Sequence, residues 1–390
     1  MNTEVRKVHT RQEMDDFVRL PRVLFRGVPQ FVPDLDSEVR SMFDPRKNSG
    51  LEFSSVQPFV AYQRAAGSSK SVPVGRIVGI VNKRANEKWQ QQVVRFGMLD
   101  FIDDPAVSRS LLDAVAEWGR GFGMTAIQGP LGVTDFDKEG MLVEDFHLPG
   151  TMNTIWNPDY YPRHMEQLGY EKAVDWLQIR IRIPQDIPAR YARVAQYARE
   201  QIGLRVVKLT SKNFMYRGRQ MFDLFNAAYS PIFGFSELSP AQVDEFILKY
   251  IRLIDKQLMP MIVNDQDEMV GVAITMGSLT EGLQKAGGRL WPTGWWPLLK
   301  SLRFKREDHA EMLLIAVRPD YQGLGVNAMF FDDLIPIYNR YGFTWAETGP
   351  QLEHNVRELS QWKPLHPEFV KRRRCYQKPL QPASSASSEK

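Results

Sequence analysis

The sequence predicts an α/β fold of the α+β kind, built from two fused halves, each a mixed and mostly antiparallel sheet flanked by helices. Three observations carry this expectation. Apolar residues recur with period two and period 3.6 in alternation, the marks of strands and amphipathic helices. The order of these segments repeats once along the 390 residues. The halves also rhyme at one turn: GFGMTAIQGP (121–130) and RYGFTWAETGP (340–350) both lead from a helix through Gly into a strand that ends on Gly-Pro. Glycine caps helices in many proteins, so it is the matching order of elements that makes this a duplication.

The first half reads as a strand near 5–9, a helix over 14–25, and strands over 58–63, 75–81 and 93–102. Asp104-Pro105 then opens a helix through LLDAVAEWGRGF, because an Asp cap before Pro is a strong start signal. The strand TAIQGP follows. The breaks in IPQDIP (183–188) mark the return to the start of the pattern, giving domains over 1–188 and 189–380. The second half reads as strand LRVVKL, helix FMYRGRQMFDLFNAAY, and helix PAQVDEFILKYIRLI with Ser239 as N-cap. Strands MPMIVN, MVGVAITM and EMLLIAV come next, then helix GVNAMFFDDLIPIYNRYG and strand FTWAETGP. The tail over 381–390, QPASSASSEK, has nothing to bury and reads as disordered.

Composition narrows the function. A net charge of +4 is too mild to call for nucleic acid. Cys375 is the sole cysteine, so no intramolecular disulfide forms, and the six histidines have no metal-ligand spacing. No metal is expected. The N-terminus lacks the apolar core of a signal peptide, and no apolar run approaches the ~20 residues of a spanning helix. A cytoplasmic protein is expected, soluble or peripheral to a membrane.

The stretch that carries chemistry is LIAVRPDYQGLGVN (314–327). An apolar strand ends at Val317, and a glycine loop opens directly into a helix. The first N–H groups of such a helix have no intrahelical partners and sit at the positive end of its dipole. Glycines let a pyrophosphate approach them closely. The Lys-Ser/Thr pair of a P-loop is missing, as is the third glycine of a dinucleotide fingerprint. The loop resembles the acyl-CoA signature of the GNAT superfamily, Gln/Arg-x-x-Gly-x-Gly/Ala, filled here by Gln322, Gly325 and the position of Asn327. Asn327 departs from the usual Gly or Ala. The resemblance implies acyl-CoA as co-substrate, held by Val317, Gln322, Gly323, Leu324, Gly325, Val326 and Asn327, with Asn355 of LEHN on the pantetheine arm. Asn355 also suits an N-cap or early-turn residue of the helix VRELSQW.

The corresponding place in the first half reads Asp100-Phe101-Ile102-Asp103-Asp104-Pro105. Carboxylates there repel a pyrophosphate and Pro105 removes a donor. The first half is therefore expected to bind no CoA and to shape an acceptor pocket or complete the fold. The longer blocks VGRIVGIVNKRANE, FGMLDFIDDPAV, GPLGVTDFDKEGMLVEDF, NPDYYPRHMEQLGYEKAVDW and GGRLWPTGWWPLLKSLRF, with VRPDYQGLGVNAMFF, LEHN and RRRCYQKPL, resemble the bacterial ceramide synthase-like family of tandem GNAT proteins. That resemblance covers the chain to about Leu380. It implies N-acylation of a long-chain amino base, an amine acceptor that is a lipid.

Direct attack of an amine on a thioester needs a proton acceptor and an oxyanion donor. The oxyanion is expected at the N–H of Val317. Glu347 on FTWAETGP is the first choice as base, with Glu311 next and Asp137, Glu139 and Asp145 of the loop after TAIQGP as further candidates. The general-acid tyrosine common in GNATs would fall near Trp362, which cannot serve, leaving Tyr376, Tyr160 or Tyr161, or unassisted departure of the thiolate. Between Lys285 and Arg306 there is no Asp or Glu, and Trp291, Trp295 and Trp296 sit among Lys285, Arg289, Lys300, Arg303, Lys305 and Arg306. Such a segment suits an anionic membrane surface, or else a lid on the protein's own core. The basic run 371–374 reads as a nucleic-acid patch or, in part, as CoA contacts. Two rival functions remain: a non-catalytic acyl-CoA sensor, and a peptidyltransferase-like enzyme using aminoacyl-tRNA.

Overall fold

The computed structural model describes residues 3–64, 70–251, 254–304 and 306–381; side chains at 357–358 are left out of account. The tail assigned to disorder therefore lies, beyond Gln381, outside the described residues. The first half runs β1 (Thr3–Lys7), α1 (Arg11–Leu24), α2 (Asp36–Ser41), β2 (Ser54–Arg64), β3 (Ser71–Asn82), α3 (Lys83–Lys88), β4 (Val93–Phe101), α4 (Pro105–Arg120), β5 (Ala126–Gly129), β6 (Met141–Leu142), α5 (Tyr160–Gln167) and β7 (Glu171–Arg182). The second runs α6 (Ala189–Gln201), β8 (Arg205–Val207), α7 (Phe214–Tyr229), α8 (Pro240–Phe246), β9 (Met261–Val263), β10 (Met269–Gly277), α9 (Thr280–Ala286), α10 (Trp295–Leu299), β11 (His309–Val317), α11 (Val326–Tyr341), β12 (Trp345–Thr348), β13 (Gln351–Leu352), α12 (Val356–Ser360) and β14 (Glu368–Pro379).

Local signals set the helix starts. Thr10 and Glu13 form a reciprocal capping box on α1, as Ser239 and Gln242 do on α8. Asp104 caps α4 with Pro105 behind it, as its sequence predicts. Helix α6 was not expected: its buried contacts are Tyr191, Ala195 and Ala198, and two alanines give a faint apolar stripe. The long second helix expected over 240–254 is α-helical only to Phe246 and continues as a π-turn over 247–251.

Strand alternation sorts the side chains into two layers. In β2 and β3, Phe59, Ala61, Ile77 and Val81 pack with Val107, Leu111 and Val115 of α4. Their neighbours Val60, Val78 and Ile80 face the other way, against Phe17 and Val18 of α1. The second half repeats this, with α6 and α11 on one face and α7 and α8 on the other.

All strands join one sheet, in the order β1-β2-β3-β4-β5-β14-β7-β12-β11-β10-β9-β8, with β13 beside β7 and β6 beside β14. The terminal strands of the halves are exchanged. First-half β7 lies antiparallel to β12, and β14, the last strand of the chain, lies antiparallel to β5. The two exchanged strands pair with each other along most of their length. The break at 183–188 thus lies between β7 and α6, and the sheet runs unbroken past it.

A buried charge network pins this seam. A bulge between Val370 and Arg372 places Lys371 at φ +53° and turns its side chain inward. Lys371 Nζ reaches Glu347 Oε1 at 2.5 Å, Gln178 donates to the same oxygen at 2.9 Å, and Arg180 reaches Oε2 at 3.1 Å. Arg373, fully buried, donates to Gln178 Oε1 at 2.6 Å, while Arg374 and Arg372 engage Asp175. In the run 371–374, Lys371, Arg372 and Arg374 are therefore engaged in ion pairs within the protein, and Arg373 in hydrogen bonds to Gln178 and the Ile155 carbonyl. Removing one member of a buried pair strands the other, at a cost of about 3–5 kcal/mol. Lys371→Met is expected to lower unfolding stability by that amount in urea titrations; a loss below ~1 kcal/mol would mean that Glu347 is not desolvated at the seam.

Candidate active site

Strand β11 ends at Val317, and Pro319–Tyr321 form a short 3-10 turn. The chain then reverses through Gly323 (φ +85°) and Gly325 (φ +91°), the latter serving as N-cap of α11. These left-handed angles favour glycine. A Cβ on Gly325 would also lie 2.9 Å from Val194 Cγ1 and 3.2 Å from the Val194 carbonyl of α6. Met329 N–H is the first to bond back, to Gly325 O at 3.2 Å. The N–H groups of Val326, Asn327 and Ala328 are thus left at the positive end of a sixteen-residue helix. Asn327 Oδ1, at the signature's unusual position, is buried without a hydrogen-bond partner.

Behind this loop the sheet splays. The parallel ladder of β11 and β12 covers only His309–Met312 against Trp345–Thr348. Gly349 N–H makes the last contact, to Met312 O at 2.7 Å, before Pro350 turns the chain away. Arg318 N–H donates to Val270 O on the β10 side, at 2.9 Å. Alternation therefore directs Val317 N–H to the opposite, splayed edge. Tyr229 Oη donates to Ile315 O at 2.7 Å.

Val317, Gln322, Gly323, Gly325, Val326 and Asn327 line one cavity of about 1890 Å³. Asn355 lines it as well; its N–H donates to Leu352 O and its carbonyl accepts from Leu359 N–H, at 3.0 Å each. Leu324 is not among the lining residues and is 40% exposed. Trp362 is a wall of the cavity, its Nε1–H donating to Gln351 Oε1 at 3.2 Å.

The first half carries the same frame with the grip closed. Its ladder of β4 and β5 is also short and also ends at Gly-Pro, with Leu131 N–H donating to Phe96 O at 2.8 Å. Asp104 Oδ1 accepts the Ala106 N–H at 2.9 Å, so the start of α4 is occupied by its own carboxylate. Beside it Tyr161 stacks on Phe101 at 4.2 Å and its hydroxyl accepts the Phe101 N–H at 2.8 Å. Tyr160 and Tyr161 are committed to this packing. The same large cavity nevertheless extends here, lined by Gly97, Leu99 and Asp100.

Neither the expected base nor the expected acid lines the cavity. Glu347 is absent from the cavity lining, and Lys371, Arg180 and Gln178 occupy both its oxygens. Glu311, its register partner across β11 and β12, is buried beside it and also does not line the cavity. Burial, then the Glu347 charge, pushes Glu311 up to about 7. Tyr376 is buried in the first-half core, its hydroxyl 3.4 Å from Glu166, and burial pushes it up to about 12. Strand position suggested the two glutamates, and Tyr376 was one of the tyrosines left once Trp362 could not serve; the partners of Glu347 come from β14, 24 residues later in the chain, and from β7, more than 160 residues earlier. Asp145 accepts the Lys371 N–H at 3.0 Å and belongs to the seam.

The carboxylates that do line the cavity are Asp135, Asp137 and Glu139, in the loop between β5 and β6. Burial raises all three; Asp135 reaches about 6, and Glu139, which faces Asp135 and Asp137, goes well above its ordinary value. Asp135 was not singled out in the sequence, although TDFDKEG places three acids in one loop. Among the described residues no cluster of His, Cys, Asp or Glu is arranged to hold a metal.

At another wall, Leu290, Leu298 and Leu302 face the cavity. The opposite side of the same segment exposes Trp291 (78%), Trp295, Trp296 and Phe304 (71%), with Lys300 and Arg303 exposed among them. Lys285 pairs with Glu281 and Arg306 with Asp255; Lys305 lies outside the described residues. No described helix is long and apolar enough to cross a membrane.

If the α11 loop holds the pyrophosphate, Gln322→Glu adds a negative charge there without a backbone clash. Its CoA dissociation constant is expected to rise at least about tenfold, ~1.4 kcal/mol, and Gly325→Glu to abolish binding. Asp104→Asn is expected to leave CoA affinity unchanged. Calorimetry in which Asp104→Asn weakens CoA and Gln322→Glu does not would place the donor in the wrong half.

No family model matches the chain. It is 26% identical over 388 residues to Protein YghO of Escherichia coli (strain K12), covering 96% of this chain and 95% of the relative. It is also 26% identical over 359 residues to the bacterial ceramide synthase of Caulobacter vibrioides (strain NA1000 / CB15N), covering 89% and 91%. Among solved structures, a tandem GNAT protein from the clavulanic acid biosynthesis pathway superposes with a TM-score of 0.55 at 12% identity, covering 98% of this chain and 100% of that one. The duplicated splayed ladders and the full-length superposition agree: this chain is a tandem GNAT-fold protein that resembles the bacterial ceramide synthase-like family.

Proposed function

We propose that the chain is an acyl-CoA-dependent N-acyltransferase that acylates the amine of a long-chain, sphingoid-type base to form a ceramide-like amide. The observation that carries this reading is the single cavity joining the glycine loop of the second half to the first-half lobe. At about 1890 Å³ it exceeds the ~300–1,000 Å³ typical of small-molecule pockets, as a site for two chain-bearing substrates must. The similarity to a bacterial ceramide synthase points to the same acceptor class.

In this mechanism the pyrophosphate rests on the N–H groups of Val326 and Asn327, and the pantetheine arm enters the splay between β11 and β12. The thioester carbonyl oxygen takes the Val317 N–H, which stabilises the oxyanion as the amine nitrogen attacks. A C–N bond forms, the C–S bond breaks, and the CoA thiolate leaves. The ammonium form of the acceptor surrenders two protons in all; one goes to the thiolate and one to the protein and then solvent. Trp362 cannot give up its indole proton as a general acid, and a thiolate departs without an acid more readily than an alkoxide would.

The same reading places the protein at an anionic membrane on the cytoplasmic face. Exposed tryptophans with Lys300 and Arg303 suit headgroups, while Leu298 and Leu302 of the same segment line the cavity into which a lipid would pass.

Purified protein with sphinganine or its 3-keto form and a long-chain acyl-CoA is expected to give amide and free CoA in equal amounts. Intact CoA binding with no amide across long and short donors would favour the sensor instead. Lys300→Glu with Arg303→Glu is expected to release the protein from anionic vesicles, each near-surface cation contributing about 1 kcal/mol. Wild-type protein that fails to sediment with such vesicles would leave this segment as a lid.

A further inference from the structure

The loop between β5 and β6 is pinned across the cavity by one aromatic side chain. Phe136 lies 5.4–6.0 Å from the rings of Phe222, Phe225 and Phe246. That cluster belongs to the second half and includes Leu314 and Ala316 of the donor strand. The first-half loop is thereby held against β11, with charged residues on either side of the anchor.

Those charges are not equivalent. Lys138 is paired with Asp34 at 2.6 Å. Asp137 turns back on its own loop, accepting the Thr134 N–H at 2.9 Å. Both oxygens of Asp135 and Oε1 of Glu139 are closed to solvent and, among the described residues, take no side-chain hydrogen bond; the backbone of Ser236 approaches Asp135 and that of Gly132 approaches Glu139. The nearby cations act on the acids only across space: Arg95 donates its hydrogen bonds to the carbonyls of Gly132 (3.1 Å) and Gly234 (2.7 Å), and Lys88 donates to Ser230 (3.1 Å). Buried carboxylates with no side chain paired directly to them are costly, and the cavity that they line has many apolar walls, among them Val78, Ile80, Phe233 and Leu313. A ligand that brings both a cation and an apolar chain meets every feature of this site.

We propose that Asp135 and Glu139 form the seat for the primary ammonium group of a long-chain acceptor and take its proton for attack on the thioester. This rests on the acyltransferase reading only for the second clause. The acids face each other, with Asp137, Arg95, Lys88 and the buried Cys375 thiol as the surrounding titratable or charged groups. Desolvation raises both; Asp137 adds to the rise of Asp135, and Asp135 with Asp137 to that of Glu139, while Arg95 favours their charged forms. With Asp135 raised to about 6 and Glu139 raised further, the pair without an amine keeps a proton near neutral pH, first on Glu139. An arriving ammonium favours the doubly ionised pair, lowers its affinity for that proton and expels it.

The test is calorimetry of dodecylamine and of dodecanol at pH 6.5, in two buffers of different ionisation enthalpy. Dodecylamine binding is expected to release about one proton per chain and dodecanol none. In Asp135→Asn/Glu139→Gln the amine should bind at least tenfold more weakly, with dodecanol and CoA affinities unchanged as the check on folding. Should that variant fail to fold, proton release by the wild-type protein decides alone. Amine binding without proton release, no amine binding, or a variant that keeps the preference for amine over alcohol would each overturn the seat. Proton-linked amine binding in a protein that makes no amide would uphold the seat and refute the acyltransferase.

Discussion

The pairing of β14 with β5 on one side and β7 on the other is the constraint on which the molecule depends. Each half lends its last strand to the other, so neither sheet is complete alone. The Glu347, Lys371, Arg180 and Gln178 network sits where the exchanged strands meet β12. Ion pairs seldom stabilise a core more than apolar packing would. Their effect here is on register: a slip of β14 by one residue would turn Lys371 away and strand Glu347 in a dry interior.

That exchange fixes the relation between two splayed ladders. In the second half the splay stays open beneath an uncharged glycine loop. In the first half, Asp104 closes the helix start and Tyr161 stacks over the strand end. Duplication thus gives two similar frames, and the side chains at two loops make them unequal. The loop at 134–139 crosses from one frame to the other, carrying acids from the first half to the wall beside the donor strand.

Much of the fold was legible because it is written in local patterns. Alternation in β2 and β3, the Asp104-Pro105 start and the Gly325 cap are all local signals, and the glycine loop stands where its residues indicate. What the sequence did not reveal shares one cause, which is distance along the chain. Glu347 has the right strand position for a base, but the bulge that aims Lys371 at it arises in β14. Asp135 was not singled out, and its neighbour Phe136 packs on Phe222 and Phe246 of α7 and α8, about 90 to 110 residues later in the chain. Helix α6 was faint because alanines form much of its contact.

The division of labour between the halves can be tested most directly by a crystal structure with a bisubstrate compound, CoA joined through its sulfur and an acetyl bridge to a long-chain amine. The account places the pyrophosphate at the start of α11, the pantetheine between β11 and β12, and the amine nitrogen with its alkyl chain in the lobe beside Asp135 and Glu139. A pyrophosphate at the start of α4, or an alkyl chain confined to the second half, would contradict it.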